Sequence, residues 1–414
     1  MTRRISNATT VERYLAAFAI VSLAGGPSLL VQLGKETASI WVVQMIVLLM
    51  VFQYLISTLA GVEHASAISH RGMVLSLIPF SFLLLFPVFV ADSIPSAAAA
   101  FVNFFSGVVV GYFIARAWVT ADRTRVGIID LAVTVFVLTA AVQIFSLFDA
   151  GTSLIGFHVA VELSWGESNY VAGVLVIASL AILGRCREIE RPHIWMWLVA
   201  ALGIVSAILT LGRSAIIALG IGMIVFLWHV GRTTFQRFAV RSVALISPIF
   251  ILLILNGVND ARFTGNTVNM VSGVSSRFIL FDLSWNEFLS SPIWGTGWVS
   301  LRTASLDGLG ASISFAHNLF FSFLQIGGLL AVPVLILAVA PSIIAISSKH
   351  AFAGATAAAL TISLFEPLFE GLVGAAVAFA CLNYVLRTAG ELSAQRLGVP
   401  VPVRGRTRLL LRGS

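Results

Sequence analysis

The sequence predicts an all-α, polytopic integral membrane protein with about 12 transmembrane helices and one large extracytoplasmic loop. Three observations carry that expectation. Hydrophobic residues make up 58% of the 414 positions and charged residues 10%, with a mean hydropathy of +0.99, which excludes an ordinary soluble domain. Apolar runs recur at about 17–25 residues, the length needed to cross roughly 30 Å of hydrocarbon. Lipid offers the backbone no hydrogen-bond partners, so such runs must be helices.

Twelve runs can be drawn: 12–33, 39–60, 72–91, 97–118, 126–148, 168–184, 194–211, 214–230, 239–256, 317–347, 351–366 and 368–387. The first is too long for a signal-peptide core and lacks a small-residue cleavage site, so it reads as the first membrane helix. Pro333 predicts a kink in the tenth. The last two could merge into one kinked helix, and the pair around Arg213 admits another division. The whole chain, 1–414, reads as a single transmembrane domain. Residues 257–316 form its extracytoplasmic loop and 388–414 a basic cytoplasmic tail. Cys186 and Cys381 suggest neither a disulfide framework nor a metal cluster.

Charge sets the expected orientation. With Arg3, Arg4 and Arg13 in the cytoplasm, twelve crossings place twenty of the Lys and Arg residues inside and leave Lys35, Arg213, Arg262, Arg277 and Arg302 outside. The protein is therefore expected in the plasma (inner) membrane, multi-pass, with both termini cytoplasmic. The formal charge of +7 lies mostly in inner loops and the tail, so it does not point to nucleic acid. The tail reads as an orientation signal or as a patch on anionic membrane lipids. Ionisable residues are nearly absent from mid-helix positions, which disfavours an ion-coupled transporter. Asp130 and His229 fall near inner helix ends.

The outer side carries the candidate chemistry. Arg213 stands alone between apolar runs. It reads either as an Arg snorkelling to headgroups or as a phosphate ligand, with its fork of donors beside a helix N-terminus and with Gly212 and Ser214 allowing close approach. Arg277 precedes Phe278, Phe281, Trp285 and Phe288, a helical spacing that predicts an amphipathic helix on the membrane. It is either a salt-bridge partner of Asp282 or a second diphosphate clamp. His317 opens the next membrane helix and reads as a general base or as a structural cap, with Asn318 orienting it or completing that cap. Pro292 to Trp298 predicts a tight turn with exposed aromatics, and Gly295 and Gly297 give a weak phosphate-loop signal. His158 and Glu162 share metal-pair spacing without a third ligand, so no metal is assigned. Glu366 and Glu370 have the same spacing. They read as a solvated helix end, or as residues that bind hydroxyls or back up the base.

At these residues the chain resembles the family of O-antigen ligases and O-antigen (Wzy-type) polymerases. Ser168-Asn169-Tyr170-Val171-Ala172, Thr210-Leu211-Gly212-Arg213-Ser214, Arg277 with Pro292 and Gly295-Thr296-Gly297, and Ala316-His317-Asn318-Leu319-Phe320 followed by Gln325-Ile326-Gly327-Gly328-Leu329 match in order, over about residues 168–330. The chain departs at Gly212, where the family often has Ser, and at Gln325-Ile326, where an acidic residue often precedes the Gly. The resemblance implies a metal-independent, inverting glycosyltransferase that needs no cofactor and has an extracytoplasmic active site. Its donor would be an undecaprenyl-diphosphate-linked glycan and its acceptor a glycan or glycolipid hydroxyl. It also implies the roles. Arg213 and Arg277 would hold the diphosphate, His317 would deprotonate the acceptor, and Asn169 would lie near the donor. Ser214, Asn318, Gly295, Gly297, Glu366 and Glu370 complete the candidate substrate-binding set. A ligase and a repeat-unit polymerase both fit. A polysaccharide or lipid transporter and a non-catalytic scaffold are the readings from other classes.

Overall fold

The computed structural model describes residues 2–25, 28–33, 36–59, 81–121, 124–149, 163, 168–210, 212–229, 269–299 and 316–396. Within them the chain is helical apart from one hairpin. Its helices are α1 (Thr2–Gly25), α2 (Val42–Leu59), the short α3 (Phe86–Val90) after a 3-10 turn at Phe82–Leu85, α4 (Ile94–Val119), α5 (Ile128–Asp149), α6 (Ser168–Glu188) and α7 (Ile194–Leu209). They continue with α8 (Arg213–Trp228), α9 (Asn269–Ser290), α10 (Leu319–Gly327), α11 (Val332–Ser348), α12 (Ala353–Ser363) and α13 (Leu372–Arg396). Five stretches are long and apolar enough to cross a membrane: Ile94–Val119, Ile128–Leu147, Asn169–Glu188, Leu319–Ser348 and Leu372–Ala389. Val42–Gln53, Ile194–Leu209, Arg213–Trp228 and Ala353–Ser363 are shorter apolar helices. The protein is thus a helical membrane protein by the length and composition of its helices. Of the twelve runs, 239–256 lies outside the described residues and 72–91 is described only from residue 81.

Two details differ from the expected runs, and a third settles an alternative left open. The runs 12–33 and 39–60 are not unbroken helices. Gly25, Gly26 and Pro27 stop α1, since neither Gly nor Pro sustains a helix interior. The chain then satisfies its backbone in an antiparallel hairpin, β1 (Ser28–Leu33) with β2 (Glu36–Trp41), in which Ser28 pairs with Trp41. The break in the tenth run falls at Gly328, whose φ of 56° interrupts the helix. Pro333 follows in the first turn of α11, where a missing N–H costs nothing. The final two runs are separate helices, divided by the turn 364–371.

Small residues set the packing. Apolar contact alone does not distinguish a helix neighbour from lipid, so close backbone approach and interhelical hydrogen bonds decide the pairing. α4 and α13 form the most extensive helix pair. A Cβ on Gly107 would meet Ala375 Cβ at 2.5 Å, and one on Gly111 would meet the Ala380 nitrogen at 2.7 Å, so only glycine fits this contact. Polar bonds join α2 to α4 (Gln44 Nε2 donating to Asn103 Oδ1, 2.8 Å) and α5 to α1 (Gln143 Nε2 to the Ala24 carbonyl, 3.1 Å). α6 is the central element, with 94% of its apolar stretch buried. Its two ends, Asn169 and Arg185, lie about 24 Å apart at 1.5 Å per residue. Each end reaches a polar cluster. Exposed Leu48, Phe52, Phe89, Ile194, Ile336 and Ile343 ring the outside, the apolar girdle a bilayer requires.

Candidate functional site

The Asn169 end of α6 gathers three distant segments. α8 begins at Arg213 behind an extended Gly212 cap, and the Ile216 N–H closes the first turn on the Gly212 carbonyl at 3.0 Å. That helix start leaves first-turn N–H groups without helical acceptors and carries the positive end of the helix dipole. Arg213 is half-buried at this start. Ser214, buried, donates from Oγ to Glu366 Oε1 at 3.1 Å. Asn169 sits against Gly212. A Cβ there would approach Asn169 Oδ1 and Ala172 Cβ to 3.2 Å each, tighter than a side chain usually allows, which favours glycine at this position. Among the described residues, Asn169 Oδ1 is buried without a hydrogen-bond partner.

His317 enters from the loop before α10 with a left-handed φ of 54°, a conformation uncommon for a residue other than Gly. Its Nδ1 lies 3.5 Å from Glu366 Oε2, and its side chain keeps 32% exposure. Asn318 is the N-cap of α10. Its Oδ1 accepts from the Phe320 and Phe321 amides at 2.9 and 3.3 Å, and its Nδ2 donates to the Leu364 carbonyl at 3.0 Å. The loop thus reaches the turn 364–371 twice, through His317 and through Asn318.

Glu366 and Glu370 are both 4% exposed, so the reading of a solvated helix end is corrected. Burial comes from chain segments far away in sequence, which local spacing does not register. Glu370 lies in the turn, outside the candidate spans. Burial pushes its carboxyl up from the ordinary 4.5 to about 7, against the opposing pull of the nearby Ser322 hydroxyl, local backbone amides and His317. Among the described residues, its Oε1 and the Ser322 Oγ have no hydrogen bond of good geometry. Tyr170, one residue beyond Asn169, accepts from the Gly374 N–H at 2.6 Å and fixes the start of α13 beside this turn. Tyr170 and Ser322 escaped the sequence reading, although Tyr170 stands inside the Ser168–Ala172 motif.

Two sets of candidates do not join this cluster. Gly295 and Gly297 belong to a packing loop. The Thr296 and Gly297 amides donate to the Gln325 and Ile326 carbonyls at 2.8 and 3.1 Å, at the end of α10 remote from His317. Both glycines have positive φ, 72° and 100°, and backbone atoms fill the space where a Cβ would stand. The expected exposed aromatics are corrected in part. Trp294 is exposed, but Trp298 is buried against Phe104 and Phe323 and donates to the Leu84 carbonyl at 2.9 Å. Arg277 lies on α9, but its side chain is outside the described residues. The helix itself docks beside the site, because Phe281, one turn on from position 277, stacks on Phe321 of α10 at 4.9 Å and 15°. His158 and Glu162 also lie outside the described residues. Among the described residues no group of three His, Cys, Asp or Glu side chains has metal-binding placement.

The opposite end of α6 holds a second polar cluster. Arg185, 1% exposed, donates from Nε to Asp130 Oδ1 at 2.8 Å and from Nη1 to Glu188 Oε2 at 2.7 Å. Trp118 Nε1 and the Gly127 amide also donate to Asp130, each at 3.0 Å, and the Tyr384 hydroxyl donates to Glu188 at 2.5 Å. His350 and Thr388 extend the network at 2.7 Å.

Comparison with protein-family models and with curated proteins finds no match to this chain.

Proposed function

We propose that the chain is a membrane glycosyltransferase of the O-antigen ligase and polymerase type. It takes a glycan from an undecaprenyl-diphosphate donor and joins it to a hydroxyl of a second glycan or glycolipid. The observation that carries this reading is the meeting of Arg213-Ser214, His317-Asn318 and Glu366 at one end of the bundle, from segments more than a hundred residues apart in two of the three cases.

In the proposed reaction the acceptor hydroxyl gives its proton to the His317 imidazole. Its oxygen bonds to the anomeric carbon as the bond from that carbon to the diphosphate oxygen breaks, with inversion. The electron pair leaves on the diphosphate. Arg213, the N-terminus of α8 and Arg277 from the neighbouring helix offset that charge, a preorganised arrangement that stabilises the departing group without a metal. A positioned general base contributes roughly 10²–10⁴ in rate. Twelve crossings put this end outside the cell. The described residues support that orientation, since Arg13, Arg116, Arg185, Arg187, Lys349 and Arg387 gather near the other end, consistent with the positive-inside rule.

Arg213→Ala, Arg277→Ala and His317→Ala should each abolish glycan attachment or elongation at the cell surface while the protein persists in the membrane. Normal glycan with any of them removes that residue from the mechanism. The transporter reading has one observation in its favour, the buried Arg185–Asp130 pair. That pair lies at helix ends and has its partners in place. Transport would survive His317→Ala, so the same variants separate the two.

A further inference from the structure

We propose that Glu366 is a positioning residue of this site: it fixes the His317 imidazole and couples that ring to the Arg213-Ser214 helix start. This rests on the glycosyltransferase reading for its consequence, though not for its geometry.

Glu366 is a two-armed carboxylate. Oε1 accepts from Ser214 Oγ at 3.1 Å, and Oε2 faces His317 Nδ1 at 3.5 Å. A buried carboxylate held by a hydroxyl on one side has little freedom on the other. A ring proton held on Nδ1, the nitrogen nearer the carboxylate, would leave Nε2 with its lone pair free, which is the form a general base needs. The His317 backbone points to the same arrangement. Its φ of 54° is held because Asn318 caps α10 and binds the Leu364 carbonyl, two residues before Glu366. Strained backbone that is fixed from several directions is characteristic of functional positions. Ser214 adjoins Arg213, so the carboxylate sets the spacing between the proton acceptor and the groups proposed to hold the leaving diphosphate. Glu370 is the second carboxylate facing His317, but it lacks a comparable anchor on Oε1.

The test reads the ring directly. Full-length protein labelled with ¹⁵N-histidine, in lipid bilayers and at a pH where the ring is neutral, reports the His317 tautomer by NMR, with His317→Gln identifying the signal. Wild type should show the Nδ1–H form, and Glu366→Gln should move it toward the Nε2–H form that free imidazole side chains prefer. In transfer assays with a lipid-diphosphate-linked glycan and lipid A–core as acceptor, Glu366→Gln should lower kcat on the order of 10²-fold with little change in KM. Should Glu366→Gln fail to fold, Ser214→Ala removes the other anchor and should lower kcat severalfold while the Nδ1–H tautomer persists. An Nε2–H ring in wild type, or a tautomer indifferent to Glu366, overturns the proposal even if transfer occurs. A Glu366-dependent tautomer in a protein that transfers nothing leaves the positioning intact and defeats the glycosyltransferase reading.

Discussion

The two ends of α6 carry buried polar clusters of opposite character. Around Arg185 the two carboxylates are each held from several sides: Asp130 accepts from Arg185, Trp118 and the Gly127 amide, and Glu188 accepts from Arg185 and Tyr384. Around Asn169, among the described residues, Asn169 Oδ1, Ser322 Oγ and Glu370 Oε1 make no hydrogen bond of good geometry. A satisfied network rigidifies and specifies a fold, whereas an unsatisfied buried polar group costs free energy unless something else uses it. The Arg185 end is therefore assigned to architecture, tying α4, α5, α6 and α13 together. The Asn169 end, with partly exposed His317 beside it, is the one we propose for a ligand.

The largest expected effect tests the first half of that contrast. Arg185→Met or Asp130→Leu alone leaves an uncompensated buried charge and should cost about 3–5 kcal/mol, read as lost accumulation in membranes and a lower Tm in detergent. The double variant should recover most of the loss. If either single change is tolerated, the network is not the structural tie described. Next comes His317→Ala, which should leave Tm nearly unchanged while lowering transfer by roughly 10²–10⁴. A large drop in Tm would make His317 part of the architecture instead.

Gly297→Ala comes third. It places a Cβ at φ 100° against the Pro87 carbonyl, 2.8 Å away, and should destabilise by more than about 1 kcal/mol while donor KM stays put. A selective rise in donor KM would return this loop to the binding site. The smallest effect concerns Glu370. Its carboxyl titrates near 7 when folded and near 4.5 when unfolded, so the folded state holds the extra proton between those values. Stability from this group is full below the lower value and is lost as pH rises through the upper one. Glu370→Gln, which stays neutral, should flatten the fall in Tm between acidic and mildly alkaline pH. An unchanged profile would mean Glu370 is not buried as described.

The contrast was half legible in the sequence. Arg213-Ser214 and His317-Asn318 announce themselves as polar pairs at helix starts after polar or apolar runs, because capping and charge are local signals. The helices follow from run length, and Gly25-Gly26-Pro27 was the local cue to the hairpin that the apolar content of 28–33 concealed. The partners are invisible from spacing. Ser214 and Glu366 are 152 residues apart, Glu188 and Tyr384 are 196, and their burial exists only once the helices pack. Gly295 and Gly297 show the converse. Their pattern invites a phosphate-loop reading, yet the positive φ values serve close contact with the end of α10.

The central claim is that the Asn169 end of α6 transfers glycan without a metal. Purified full-length protein in bilayers, given an undecaprenyl-diphosphate-linked glycan, lipid A–core or a second lipid-linked repeat unit, and excess EDTA, tests it most directly. The account predicts a glycosidic product from wild type and none above background from His317→Ala. Equal product from both proteins, or product that appears only when a divalent metal is restored, would contradict it.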